Sequence, residues 1–151
     1  MTTPTTKPPA TIPTSVVLAQ RAFEAFVKAV TTGDSAPLMA LMHPQVRFWV
    51  PLPFADWQGE QRGAARVAEL VAFERDVMQM SLRFEQVGLV AGSHTAGVEF
   101  RVQGRHRGGD YHNHLSMFFE FDAAGLITAW REYTGEVDPK AVAAVTQNAE
   151  A

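Results

Sequence analysis

Residues 125–135, GLITAWREYTG, place Trp130 and Glu132 two positions apart. On a strand that spacing puts both side chains on one face and Ala129, Arg131 and Tyr133 on the other. A carboxylate beside an indole suits the wall of a largely apolar cavity, where burial raises the carboxyl pKa and makes it a proton carrier. The segment VEFRV sets Glu99 and Arg101 on one strand face and Val98, Phe100 and Val102 on the other. If the charged face looks into the same cavity, Arg101 stands between Glu99 and Glu132. It then keeps one carboxylate ionised while a less solvated partner rises in pKa. On that reading Glu132 is the base, Arg101 its orienter or oxyanion stabiliser, and Glu99 or a histidine the second proton carrier. The same residues also fit a surface strand whose charged face meets water, or a purely structural ion pair.

His112 and His114 add a second cluster, because a His-x-His pair on a strand points both imidazoles the same way. With Glu120 of the same parity it has the outline of a metal site. The six-residue gap from His114 to Glu120 is long for one, and no later histidine completes the set, so no metal is expected. A single histidine lining a cavity would serve as a proton shuttle, and His112 is the candidate. Strand parity makes Tyr111 and Asn113 alternate with His112 and His114; register decides which set faces inward. The aromatic run FWVPLPFADW is either core and rigid loop or the floor of a pocket. On the pocket reading Trp49, Phe54, Trp57, Met78, Leu82, Asn113 and Trp130 line it, and the ligand is a hydrophobic, cyclic small molecule carrying one or two oxygens. Flavin and nicotinamide fingerprints, phosphate loops and nucleophile elbows are absent from the sequence, so no cofactor is expected.

The order of elements decides what these residues can reach. Ser15 is a candidate N-cap for a helix carrying Val16, Phe23, Phe26, Val27 and Val30, ended at TTGD. Asp34 or Ser35 can cap a short second helix through Met42, stopped by His43-Pro44. VRFWV then reads as a strand. A third helix is expected from Ala64 to Met78, with Val67, Leu70, Val71, Val77 and Met78 on its buried side. From Ser81 the period becomes two, in four segments separated by turn residues, the pattern of an antiparallel meander. Helices first and strands later give an α+β fold: a curved antiparallel sheet with three helices from the N-terminal half over its concave face.

The chain has 151 residues, 46% hydrophobic and 19% charged, and a net charge of -3. Its length suits one domain, expected over residues 15–137, between a Pro- and Thr-rich flexible lead-in at 1–14 and a tail or short helix at 138–151. Scattered basic residues give no stripe for phosphates, so nucleic acid is not an expected partner. No apolar run approaches the roughly 20 residues of a membrane span. Zero cysteines exclude disulfides and thiolate chemistry and fit the cytoplasm.

Three stretches, ALMHPQVRFWVPLPF after two helices, GGDYHNH, and FEFDAAGLITAWREY as a closing hairpin, resemble the SnoaL-like group of the nuclear-transport-factor-2-like superfamily over about residues 15–137. The resemblance implies a cone-shaped α+β barrel with a pocket between helices and sheet, and a homodimer through the outer sheet face, with Phe100 and Phe118 as contributors. Relatives of this fold include polyketide cyclases, steroid isomerases, epoxide hydrolases and noncatalytic proteins. WREY is similar to the closing strand of limonene-type epoxide hydrolases, with Glu132 at the acidic position of their Asp-Arg-Asp triad. Glu99-Phe-Arg101 reverses that family's order of charge, and Arg47 and Trp49 stand where it uses Tyr and Asn. The steroid isomerase pattern is weaker, with no tyrosine on helix one and no aspartate in RFWVP. The implied activity is cofactor-independent acid and base chemistry of isomerase, cyclase or hydrolase type. A noncatalytic, dimeric ligand-binding protein of the same fold is the alternative.

Overall fold

Phe23, Phe26 and Val30 recur at helical spacing, and with alanines at 19, 22, 25 and 29 they give the first helix one closely packing face. In the computed structural model, which describes residues 14–136, this helix is α1, Ser15–Thr32. Ser15 is its first residue rather than its cap, and its hydroxyl donates to the Gly92 carbonyl across the fold. Val16 is 48% exposed, off the core face. Gly33, at φ 84°, closes the helix in the left-handed conformation, its N–H bonding the Ala29 carbonyl at 2.8 Å. The lead-in before Thr14 and the tail from 138 lie outside the described residues.

Helix α2, Ala36–Ala40, is shorter than expected, because the chain turns extended at Met42 rather than at Pro44. Strand β1, Met42–Trp49, absorbs Pro44 where its pairing with the last strand is interrupted, between Met42 and Arg47. A 3₁₀ turn at Ala55–Trp57 and the short β2, Gln61–Arg62, lead into α3, Ala64–Ala72. The expected helix to Met78 continues as a single π turn, Phe73–Val77, in which the Met78 N–H bonds the Phe73 carbonyl at 3.0 Å. The wider turn swings Val77 out to 50% exposure instead of into the core.

Strands β3 (Ser81–Ala91), β4 (Thr95–His106), β5 (Gly109–Phe121) and β6 (Ile127–Thr134) form the expected antiparallel meander. Strand β1 adds to β6 in parallel, so the six-stranded sheet is mixed, in the order β2-β1-β6-β5-β4-β3, and is open rather than a closed barrel. The fold is α+β, as the order of helices and strands predicts. The concave face carries the core: Phe48, Val98, Phe100, Met117, Phe119 and Trp130 are all essentially inaccessible to water. Trp130 stacks on Phe48 with ring centroids 5.4 Å apart and meets Phe26 of α1 edge-on at 5.6 Å. Phe26, Phe84 and Phe100 continue this aromatic layer toward β3. Among the described residues no helix is long and apolar enough to cross a membrane.

Candidate active site

The β4–β5 register sets Val102 opposite Asn113 and Phe100 opposite Leu115, and directly opposed residues share a face. Asn113 and Tyr111 therefore face the concave side, and His112 and His114 face away. On β6 the same rule places Glu132, opposite Met117, inward beside Trp130. Helix α1 and the π turn close over this end of the sheet. The result is a cavity of about 70 Å³ whose walls are Phe26, Val30, Leu82, Phe84, Phe100 and Val102. Its polar lining is Glu74, Glu132, Tyr111, Asn113 and Thr134, and Pro51, Leu52 and Met80 complete it.

Two carboxyl groups share this space. Glu74 is 7% and Glu132 9% exposed. Glu74 Oε2 is buried without a hydrogen-bond partner among the described residues. Burial raises the Glu74 pKa to about 8. Burial, and secondarily the neighbouring Glu74, pushes Glu132 well above the usual carboxylate range. Burial also raises Tyr111, and Glu132, Glu74 and Glu136 add to that, against the hydrogen bond from Asn113. That bond runs from Asn113 Nδ2 to the Tyr111 hydroxyl oxygen at 3.2 Å, and the Asn113 oxygen accepts the His114 N–H at 2.8 Å. With its oxygen already accepting, the Tyr111 hydroxyl is left as a donor.

The structure separates the other expected site residues from this cavity. Glu99 and Arg101 project from the outer face of β4, because Val98, Phe100 and Val102 occupy its inner face. Arg101 faces Glu85 at 3.9 Å, both half or more exposed, and Glu99 Oε1 accepts from His114 Nε2 at 2.6 Å. The anticipated Glu99-Arg101-Glu132 triad does not converge. His112 meets Glu136 at 3.3 Å on the outer surface, so it is no shuttle for the cavity. Among the described residues no three His, Asp or Glu side chains group as metal ligands, and Glu120 pairs with Arg131 at 2.7 Å.

Of the expected lining residues, Leu82 and Asn113 meet the cavity. Trp130 lies in the aromatic core beside it, its indole N–H buried without a partner among the described residues. Trp49 sits opposite in parity to Phe48, with the Arg47 guanidinium 5.8 Å above its ring. Phe54 and Trp57 belong to a separate surface groove with Phe73, where Arg66 lies 3.8 Å over the Trp57 ring. Met78 lies beyond the π turn, half-buried, and Met80 reaches the cavity in its place. Phe100, expected on the outer face, is 1% exposed on the inner one; Phe118 is outside as expected.

The residue that sequence reading passed over is Glu74. It stands seven positions after Val67 and three to four after Leu70 and Val71, on the apolar stripe of α3, where a charged residue breaks the pattern.

Comparison with known proteins agrees with the fold. A search of curated proteins found no match. The chain is similar to the crystal structure of an NTF2-like protein from Anabaena variabilis, with a TM-score of 0.72 and 22% identity over 82% of this chain and 90% of that one. It is also similar to an LEH-like epoxide hydrolase from M. tuberculosis, with a TM-score of 0.60 and 22% identity over 79% of this chain and 84% of the other. A third likeness is to the epoxide hydrolase/cyclase-like enzyme SalBIII of pyran ring formation in salinomycin, at 0.62 and 16%, over 79% and 91%. At these identities the structures share a fold, while the sequence profile of the SnoaL-like domain matches residues 23–130. Folded sheet, covering helices and profile together place the chain in the SnoaL-like domain family.

Proposed function

We propose that the chain is a cofactor-independent acid–base enzyme of isomerase, cyclase or hydrolase type, acting on a small hydrophobic molecule in the cavity between α1, the π turn and the sheet. One observation carries the reading: two buried carboxyl groups, Glu74 and Glu132, line one apolar cavity, and Glu74 Oε2 has no partner among the described residues. Two such groups resist being charged together, so the pair holds at least one proton at neutral pH. Within the pair Glu74, whose Oε2 has no partner among the described residues, is taken as the group that ionises. Ionised Glu74 is then the base, Glu132 the acid, and the Tyr111 hydroxyl a hydrogen-bond donor to the substrate oxygen. Removing a proton at one position and returning it at another is an isomerisation; directing the same base at a hydroxyl or a water gives cyclisation or hydrolysis. A base that titrates near 8 is well matched to neutral or slightly alkaline operation.

The cavity is small beside the several hundred Å³ typical of drug-sized ligands. A cyclic substrate therefore displaces lining side chains, of which Leu52 and Met80 are half-buried. The limonene-type triad finds no support in the cavity lining, which among the described residues contains no arginine. Homodimerisation through the outer face belongs to the same reading, supported by exposed Val90 and Phe118 at a groove of about 420 Å³ and by exposed Tyr133, whose ring meets that of Phe118. The test is turnover of a panel of small enones, epoxides and hydroxy-ketones by the wild-type protein and by Glu74→Gln and Glu132→Gln. Loss of about 10²-fold or more in kcat in both variants is expected. Unchanged turnover in the variants would refute the assignment, and saturable binding without turnover would favour the noncatalytic alternative.

A further inference from the structure

The balance of charge in the cavity says more about its ligand than its size does. Among the described residues every charged or titratable group in the lining is an acid: Glu74 from the π turn, Glu132 from β6 and Tyr111 from β5. The residues facing them from α1, β3, β4 and the segment after β1 are Phe26, Val30, Leu82, Phe84, Phe100, Val102, Pro51 and Leu52, none of which titrates. The nearest arginine of the π turn, Arg75, is turned aside and donates to the Val30 carbonyl at 2.8 Å. Glu136 lies close enough to oppose ionisation of Tyr111, but its carboxylate faces His112 on the outer surface.

An anionic ligand here would meet one or two carboxyl groups and no cation among the described residues. A neutral ligand could take a hydrogen bond yet supplies no charge that would let either buried carboxyl ionise. A cation supplies that charge, partners Glu74 Oε2, which has no hydrogen-bond partner among the described residues, and packs against the rings of Phe26, Phe84 and Phe100, whose π systems can attract positive charge. We infer that the substrate or ligand of this cavity is a small hydrophobic amine, bound as its ammonium ion between Glu74 and Glu132 against the aromatic wall. The inference rests on the cavity named in the proposed function and adds the charge of its occupant. On binding, the ammonium keeps its proton and one glutamic acid gives its proton to solvent, leaving one ion pair and one neutral carboxyl.

Binding of matched fragments tests this without any knowledge of the reaction. Pyrrolidine and piperidine, protonated at neutral pH, are compared with their neutral isosteres tetrahydrofuran and tetrahydropyran by NMR titration of the wild-type protein. The amines should bind at least about tenfold tighter than the ethers, and the preference should disappear in Glu74→Gln. Because the bound state needs an ionised glutamate, amine affinity should rise with pH between 6 and 8, by up to about tenfold per unit, while ether affinity stays flat. Equal or tighter binding of the ethers, amine affinity independent of pH, or no response of cavity residues to either amine would overturn the inference. Should Glu74→Gln fail to fold, the isostere and pH comparisons on the wild type still decide. Turnover of neutral substrates with no amine binding would sink this inference and leave the acid–base reading standing. Amine binding without any turnover would do the reverse.

Discussion

Replacing Glu74 by glutamine removes a proton equilibrium from the core while keeping nearly the same shape. The ordinary pKa of this carboxyl is 4.5 and burial raises it to about 8 in the folded protein. Below pH 4.5 folded and unfolded chains both hold the proton, and the group imposes no pH-dependent cost. Above 4.5 the unfolded chain releases it while the folded chain retains it until about 8, so wild-type stability falls as pH rises through that window. At about 1.4 kcal/mol per pH unit for one proton, the loss accumulates to on the order of 5 kcal/mol by pH 8, an upper bound that local opening to water would reduce. Glutamine does not titrate, so Glu74→Gln should lack this decline. Near pH 4.5 the variant is expected to equal the wild type or fall slightly below it, because a buried amide also needs partners. At pH 8 it should be the more stable by a few kcal/mol.

Urea denaturation followed by far-ultraviolet circular dichroism at pH 4.5, 6, 7 and 8 measures the difference directly. Parallel stability curves for the two proteins would refute the reasoning, since a carboxyl with an unshifted pKa cannot produce the divergence. Glu132 pushes stability in the same direction, and Glu74 is one cause of its raised pKa. The double variant Glu74→Gln/Glu132→Gln should therefore gain less at pH 8 than the two single gains together. A substitution that stabilises the fold while abolishing turnover is the pattern expected of a group held for function at the expense of stability.

Three further outcomes follow from the geometry. Tyr111→Phe should lower kcat by about 10- to 100-fold while costing only about 1 kcal/mol of stability, read from kinetics and denaturation together, because it removes the cavity's hydroxyl donor and the acceptor of Asn113 Nδ2. Glu99→Gln and Arg101→Ala should leave turnover within about twofold and stability within about 1 kcal/mol, since both groups lie on the outer face in exposed ion pairs; a large kinetic loss in a folded protein would return the chemistry to that face. Gly104→Ala should cost about 2–3 kcal/mol in thermal or urea unfolding, because the added Cβ would fall 2.0 Å from the Ser81 carbonyl oxygen, a backbone atom of the paired strand that cannot swing aside.

Period two was enough to place Trp130 and Glu132 on one face, and the helix-to-strand order was enough for the α+β class. The same period also argued against Arg101. Phe100 and Arg101 are adjacent, so both cannot enter one cavity unless β4 carries a bulge between them, and its pairing with β5 runs unbroken from Thr95 to His106. The irregularity of this part of the sheet falls in β3, between Gln86 and Gly88. The mixture of Trp130 and Glu132 on β6 suggested that the charged face of β4 looked inward too, but the apolar side chains of Val98, Phe100 and Val102 were the better guide. Which of the His112 and Asn113 sets faces inward depended on register, which is fixed by the short turn between His106 and Gly109 and the pairing it imposes.

Glu74 was missed for the opposite reason. A stripe of Val67, Leu70 and Val71 continues at its position, and a reading that collects hydrophobes along a helix steps over the one acid among them to Val77. The π turn then removes Val77 from the core and leaves Glu74 in it. A buried acid without a partner works against folding at neutral pH, and leucine or methionine would fill the same stripe without that penalty. Local preference and global fold conflict at this residue, and such conflicts are expected where a side chain is held for chemistry rather than packing. Glu132 presents the same conflict on β6, beside the fully buried Trp130. Two such conflicts, from segments more than fifty residues apart in sequence, meet in a single cavity. Independent packing accidents would have no reason to converge there, whereas a pair of proton carriers must.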